Sequence, residues 1–590
     1  MIEPRVYRAA FIPALLAVVL TMFSLEGRPR PLPQGLAADV LFDGRLAKQG
    51  AAQLASRHPD RRAGSLGDRA TGAEVARVLA ARGFRVERTR FTEGGKELVN
   101  VVGRRAGSER RQVVVVAARD AAGVPDAVGS GGDTAALLEL ARVFEGRPSH
   151  KTLVLASIDG SALGEVGTER FARTLGDPRL VDGVVVMSDL AAARARGPLL
   201  IGWSNDSRRA GIALQRTLAE SVRQELAQPV GASGPAAQLA RLAFPLGIGA
   251  QGPLLERGYD AVRISGSGEL PSAASGRTGA IDQDRLGGLG RATLRTVTAL
   301  DQGPPPKHGP PSYVIAVSQV MPGWALSVLA IGLLLPALVA AIDAFARARR
   351  RRVAVGPWLR WLGAWIVPFL VAFALVELLA LVGATPDPPP APVAPDRYPL
   401  DGAALVVLAV AVGAWALAFW VGRGLVGARR LLRDRSNPGA ACSVVLAAAL
   451  AALVLWFVNP YAALMLVPAT HLWLLAMLVE PAPPRRARMI GVAAGALLPL
   501  LVAIHYLFAF SLNPISGAWY LLLLVTGHSV GLITTLIGCV LVGTFAAALE
   551  AAGARRAAPA APAQPSQPVY GPGAHAGPGA LGGTESALGR

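Results

Sequence analysis

Two kinds of apolar run divide this chain. Between residues 31 and 303 the runs are short and rich in β-branched residues, as at 113–116, 152–156 and 184–187, and they alternate with amphipathic stretches such as 72–82 and 134–144. Strands buried on both faces of a parallel sheet read as unbroken apolar runs of this kind. The pattern predicts an α/β domain, a mostly parallel twisted sheet flanked by helices, with strands near 98–103, 113–117, 152–157 and 184–188. The other runs are long. A helix needs about twenty apolar residues to cross a bilayer, and the stretches 9–25, 322–346, 358–383, 402–422, 440–458, 461–479, 489–510 and 519–549 meet or approach that length. The last is long enough to tilt or to break near Gly527.

Arginine placement orients these spans. Arg5 and Arg8 precede the first run. Arg347 and Arg349 to Arg352 follow the second run; Arg423, Arg429, Arg430, Arg433 and Arg435 follow the fourth; Arg485, Arg486 and Arg488 follow the sixth; Arg555 and Arg556 follow the last. The loops between are nearly free of positive charge: 384–401 carries only Arg397, against Asp387, Asp396 and Asp401, and 511–518 carries none. Basic loops stay inside, so both termini are expected in the cytoplasm and residues 31–310 outside. A cleaved signal peptide needs small residues just after its apolar run. Here Glu26-Gly27-Arg28-Pro29-Arg30 follows, and Ala37-Ala38 lies further on. An uncleaved anchor is the expectation, a cleaved signal the alternative. The expected domains are an anchor over 1–30, the α/β ectodomain over 31–303, a Pro/Gly linker over 304–321, seven membrane helices over 322–549 and a disordered tail over 550–590.

Composition narrows the function classes. Hydrophobic residues make up 52% of the chain, charged residues 17%, and the mean hydropathy is +0.41, which excludes a wholly soluble protein. A net charge of +19 invites a nucleic-acid reading. However, the basic residues are 4 lysines against 55 arginines, much of them beside the apolar spans, so no nucleic-acid partner is expected. Cys442 and Cys539 both stand in apolar stretches, so neither a disulfide framework nor a cysteine zinc site is expected. The tail from Ala557 is rich in Pro, Ala and Gly without periodicity, the mark of disorder.

One segment carries a resemblance. It reads HPDRRAGSLGDRATGAEVARVLAARGFRVERTRFTEGGKELVNVVGR over 58–104, with an Arg-x-Ala-Gly-Ser turn ending at Ser65, a helix ending in Arg82-Gly83-Phe84, and Val99-Asn100-Val101-Val102. A four-valine strand, a Gly-rich loop, the helix Ala136-Leu137-Leu138-Glu139-Leu140-Ala141, a strand closing on Asp159-Gly160, and Gly164-x-x-Gly167 follow. Over roughly residues 50–300 this resembles the two-zinc aminopeptidase family. That family includes bacterial leucyl aminopeptidases, glutamate carboxypeptidase, glutaminyl cyclase and the non-catalytic transferrin receptor ectodomain. With one further span before it and seven after, the architecture is similar to that of the peptidase-like subunit of GPI transamidase, which serves binding and assembly.

The resemblance implies a metal site that these residues do not complete. Two zinc ions need a bridging carboxylate, a further carboxylate and an imidazole each, and a free carboxylate as general base. The family's strand-end His-x-Asp reads Ala118-Arg119-Asp120 here. Its Gly-Ala-Asp-Asp-Asn loop reads Gly129-Ser130-Gly131-Gly132-Asp133, so Asp133 is at best a shifted substitute for the bridging aspartate. Its Glu-Glu pair is Ser161-Ala162. Asp189 matches the later metal aspartate, and the final histidine, due near 272–278, is absent because no histidine stands between His150 and His308. The expectation is a vestigial cleft of Ala118, Asp120, Asp133, Ser161, Ala162 and Asp189 with no cofactor. Arg119 is expected to replace the cations by pairing with Asp120, Asp133 or Asp189. The alternative is a working metallopeptidase with zinc on Asp120, Asp133 and Asp189.

Other candidates weigh less. Gly129-Ser130-Gly131 precedes a helix, where backbone N–H groups could cradle an anion; a nucleophilic Ser130 would need a base, and His58 and His150 are expected in surface loops. Gly266-Ser267-Gly268 reads as a loop, and Glu165 as a solvated turn or a side chain swinging into the cleft. Glu377, taken as mid-span, is the membrane functional candidate because intramembrane carboxylates are costly; a hydrogen bond within the helices is the plain alternative. His471, His505 and His528 read as packing or anchoring groups. The expected partners are the lipid bilayer and a protein, peptide or lipid-linked ligand held by a scaffold, with a transport-type membrane domain as the alternative.

Overall fold

Val113, Val114, Val115 and Val116 are all buried although successive strand residues face opposite ways. The sheet they belong to is therefore covered on both sides, as the unbroken apolar run requires. The computed structural model describes residues 3–34, 38–227, 230, 233–387, 389–425 and 438–554. Arg429, Arg430, Arg433, Arg435, Arg555, Arg556 and the tail from Ala557 lie outside the described residues.

The strands are β1 (Glu26–Gly27), β2 (Arg85–Glu93), β3 (Lys96–Arg105), β4 (Gln112–Ala118), β5 (Thr152–Ile158), β6 (Val181–Ser188), β7 (Leu200–Ile201), β8 (Ala261–Ser265), β9 (Tyr313–Ala316) and β10 (Gln319–Pro322). The sheet of the α/β domain has the order β2-β3-β5-β4-β6-β8-β7. Its centre is parallel, with Val113 opposite Leu153, Val114 opposite Val184, and Val185 opposite Val262. Its edges are antiparallel: β2 and β3 form a hairpin, β3 runs against β5, and β7 against β8. The mostly parallel expectation thus holds for the four central strands. The hairpin turns at Gly94-Gly95, both with positive φ, a conformation glycine adopts without a Cβ penalty. Asp43, Ser65 and Asp282 accept from N–H groups opening the helices Gly44–Arg57, Leu66–Ala81 and Gln283–Gln302, as side-chain caps do.

Seven helices among the described residues are long and apolar enough to cross a membrane: Pro4–Phe23, Gly323–Arg350, Gly356–Leu381, Gly402–Leu425, Pro438–Val458, Pro460–Leu478 and Leu532–Gly553. Arg485–Gly495 and Leu497–Ala509, bent by 46° between them, make an eighth if the pair is one span. The single run expected over 519–549 is two elements. The shorter apolar helix Pro514–Thr526 ends at Gly527, and Leu532–Gly553 begins after a break containing His528 at φ +55°.

The two halves are tied together. The stretch read as a Pro/Gly linker is structured at its end, because β9 and β10 form a hairpin inside 304–321 and its flank, and Glu26 of β1 pairs with Val320 of β10. Helix Ile12–Phe23 lies against Gly323–Arg350, where a Cβ on Gly332 would come within 2.6 Å of the Ala17 Cβ. The loops at the carboxyl ends of the central strands face the half that carries the long apolar helices. Arg397 donates to the Ala122 carbonyl at 3.2 Å, Gly164 packs against Pro389 and Pro390, and Leu270 joins an apolar cluster with Tyr506, Phe510 and Tyr520.

Candidate functional site

On its cleft side, the carboxyl edge of the sheet gathers the buried carboxylates Asp120, Asp126, Asp133, Glu165 and Asp189, with no histidine among the described residues beside them. Ala118 ends β4, half-buried. Because side chains alternate along a strand, Ala118 and Asp120 share one direction and Arg119 takes the other. Arg119 therefore does not enter the cleft, contrary to the expectation that it pairs there with Asp120, Asp133 or Asp189. Its Nε and Nη2 donate to the two oxygens of Asp68 at 2.9 and 2.7 Å, Nη2 donates to the Val99 carbonyl at 2.8 Å, and Asp159 lies 3.5 Å away. Any Cβ on Gly72 would sit 3.1 Å from the Arg119 Cζ, so the guanidinium occupies the space a side chain would use.

Each cleft carboxylate is bound to the protein's own donors. Asp120 accepts from the Ser161 and Ala162 N–H groups at 2.9 and 2.8 Å, which pins that half-buried pair. Burial, with the nearby Asp68 charge, still pushes the Asp120 carboxyl up to about 6. Asp133 accepts from the N–H groups of Asp189 and Leu190 at 2.8 and 3.0 Å, while burial and the Asp189 charge raise it well above the ordinary range. Asp189 accepts from the Ser272 hydroxyl at 2.6 Å and N–H at 3.2 Å on one oxygen, and from the Ser188 and Ser267 hydroxyls, each at 3.1 Å, on the other.

Asp126 was not assigned to the cluster from sequence, and Glu165 was placed there only as the alternative to a solvated turn. Asp126 accepts from the Gly129 and Ser130 N–H groups at 2.9 and 2.8 Å. Those N–H groups are the ones an anion cradle would need, so the cradle is filled from within the chain. Burial raises Asp126, and Arg61 donates to its carbonyl and to the Ser130 hydroxyl. The signal available was an aspartate just ahead of a Gly-Ser helix start, the pattern of a local side-chain-to-backbone turn. Glu165 is buried rather than solvated, correcting the turn reading. Its Oε2 accepts from the Thr168 and Ser161 hydroxyls at 2.7 and 3.2 Å, and burial pushes it up to about 7. Glu165 at φ +60° and Asp189 at φ +52° both hold left-handed backbone, which costs a non-glycine residue roughly 1–3 kcal/mol. Such strain clusters at functional sites.

The residues do not fit a zinc pair. Among the described residues no group of three or more His, Cys, Asp or Glu side chains could hold a metal ion. The histidines of the α/β domain are engaged elsewhere, His58 with Glu74 at 3.4 Å and His150 with Asp301 at 3.7 Å, so neither serves Ser130 as a base. Among the long apolar helices, Glu377 is four residues from the end of Gly356–Leu381 and not at its middle. A 26-residue helix is about 39 Å long and overshoots a hydrocarbon core of about 30 Å, which brings its last turn towards the interface. His471 is held by the Tyr7 hydroxyl at 2.6 Å and the Leu333 carbonyl at 2.8 Å, the His505 ring packs edge-on to Tyr506, and His528 is exposed at the helix break.

No family model matches the chain, and no curated protein matches it. Solved structures similar to it include a zinc aminopeptidase from Bacillus subtilis (12% identity, TM-score 0.37, covering 45% of this chain and 95% of that one). Others are a glutaminyl cyclase from Porphyromonas gingivalis (16%, 0.36, 44% and 98%) and a Zn-dependent exopeptidase from Parabacteroides distasonis (15%, 0.32, 44% and 98%).

Proposed function

We propose that this chain is a multi-pass membrane protein whose peptidase-like ectodomain has lost metal chemistry and serves as a binding or scaffold subunit for a peptide, protein or lipid-linked partner. One observation carries the reading: the cleft carboxylates are satisfied by backbone N–H and hydroxyl donors, and the positions that would supply the first imidazole and the Glu-Glu pair hold Ala118, Ser161 and Ala162. A carboxylate that already accepts several hydrogen bonds gains little from a cation, and two zinc ions without nitrogen ligands would be held by oxygens alone. Elemental analysis of the purified full-length protein is expected to find zinc well below one per chain. Near-stoichiometric zinc, removable by a chelator with loss of aminopeptidase activity, would overturn the proposal in favour of an active metallopeptidase.

The orientation follows from the arginine-rich loops, with both termini cytoplasmic and the ectodomain outside. The pairing of Glu26-Gly27 with β10 and the packing of Ile12–Phe23 on Gly323–Arg350 support an anchor that stays attached. Single cysteines introduced between 389 and 397 should react with an impermeant maleimide added to intact cells, and cysteines at 429–435 should react only after permeabilisation. The reverse pattern would invert the topology.

A further inference from the structure

Where the ectodomain meets the membrane half, an apolar cavity of about 400 Å³ lies between the helices Leu497–Ala509 and Pro514–Thr526 and the ectodomain residues Phe244 and Leu246. No charged side chain lines it. Two tyrosines do, and both spend their hydroxyls on the backbone: Tyr506 donates to the Phe244 carbonyl and Tyr520 to the Val393 carbonyl at 2.8 Å. What is left is a wall of hydrocarbon and ring. Water placed there would lack the two to four polar partners it needs.

We propose that this cavity holds the hydrocarbon chain of a phospholipid from the outer leaflet, with the lipid head directed at the loops around the carboxyl edge of the sheet. The inference deepens the binding role proposed above and rests on it for the orientation of the ectodomain. Three observations select this occupant. Leu497, Leu500, Leu501, Ile515 and Leu521 are exposed on the same two helices, and Leu521 also lines the cavity, so its rim is continuous with the surface that faces lipid. A methylene fills about the volume of a water molecule in the liquid, roughly 30 Å³, so the cavity accepts on the order of a dozen chain carbons. A partner helix, about 10 Å across, is too wide for it.

The third observation concerns its inner end. Arg241, paired with Glu269, lies over the Tyr506 ring at 4.9 Å and the Trp203 ring at 4.7 Å. The next residue, Leu270, packs in one cluster with Leu246, Tyr506 and Tyr520, beside Ala394 of the 384–401 loop. The same 266–272 loop carries Ser267 and Ser272, both donors to Asp189. A chain seated in the cavity therefore touches both halves of the molecule and leaves its head group beside the loops that close the cleft.

The test uses the full-length protein in nanodiscs containing phosphatidylglycerol with a diazirine at mid-chain, followed by irradiation and peptide mass spectrometry. Adducts are expected on 499–524 and on Phe244 to Leu246, in excess over Leu405 and Val406, which are exposed on another membrane helix. Ala518 and Ala503 line the cavity and are exposed, so a larger side chain at either fills the space without displacing core atoms. Ala518→Trp is expected to cut the cavity adducts about tenfold, equivalent to roughly 1.4 kcal/mol of binding, and to leave those at Leu405 and Val406 unchanged. Ala503→Leu, a smaller insertion, should act in the same direction and serves if the tryptophan variant does not fold. Absence of adducts on Phe244 to Leu246, or cavity labelling indifferent to both substitutions, would overturn the proposal. Stoichiometric zinc together with the expected labelling would remove the degenerate-peptidase reading and leave the lipid site standing.

Discussion

Replacing Arg119 by methionine is expected to cost the protein about 3–5 kcal/mol of stability, the usual price of removing one partner from a buried ion pair. The guanidinium is buried, and so are Asp68, which it grips with two nitrogens, and Asp159 at 3.5 Å. Methionine replaces much of the stem but leaves two buried carboxyls with no cation between them. Burial and the Asp68 charge already push Asp159 up to about 8 while Arg119 pulls it down. Without Arg119 its folded value rises further above the unfolded one. Stability linked to a raised carboxyl is fully present below the unfolded value, near 4, and is lost as pH rises through the folded value. The deficit should therefore be smallest near pH 5 and largest above pH 8. Unfolding of the full-length variant and wild type, followed from about pH 5 to 9, measures this; a deficit below about 1 kcal/mol at pH 8 would show that the pair does not hold β4 to Leu66–Ala81. Arg119→Lys should recover only part of the loss, since an ammonium keeps the charge without the fork.

The second large effect has the opposite sign. Glu165→Gln is expected to stabilise the protein above neutral pH. Burial pushes Glu165 up to about 7 from an ordinary 4.5, so the folded state favours its protonated form. That preference is fully realised below about 4.5 and is lost as pH rises through about 7. The difference, 7 minus 4.5, at 1.36 kcal/mol per unit, places the penalty of the ionised form at roughly 3 kcal/mol at pH 8. Glutamine keeps an acceptor for the Thr168 and Ser161 hydroxyls and does not titrate. The gain should approach 3 kcal/mol at pH 8 and vanish near pH 4. A loss of stability at pH 8, or a gain that does not change with pH, would sink the buried-acid account of Glu165.

Taken together, the two substitutions separate what surrounds the cleft. Arg119 sustains the scaffold behind the strand ends, through contacts that face away from the cleft. Glu165 is a cost retained inside it, along with left-handed backbone at Glu165 and Asp189. Strained backbone and buried acids thus both concentrate inside the cleft.

The sequence by itself determined the things that depend on side-chain identity and on short-range periodicity. Alanine at 118 and 162 carries no ligating side-chain atom in any fold, so that limit on those two positions was legible from residues alone. The valine run at 113–116 could pack only where both faces are buried, and β4 spans 112–118 accordingly. The run at 402–422 is a helix over 402–425, because twenty apolar residues have no stable alternative near lipid.

Tertiary structure decided what depends on residues brought together from afar. Arg119 was expected in the cleft, and its actual partner Asp68 is 51 positions away and on a helix. The burial of Glu165 and the capture of the Gly129 and Ser130 N–H groups by Asp126 follow from how loops close over the sheet. The seating of the carboxyl edge on the 384–401 loop and on Tyr506 and Tyr520 joins segments more than 100 residues apart. Local pattern sets which face of an element is apolar; which other face covers it is settled only when loop closure and packing are satisfied at once.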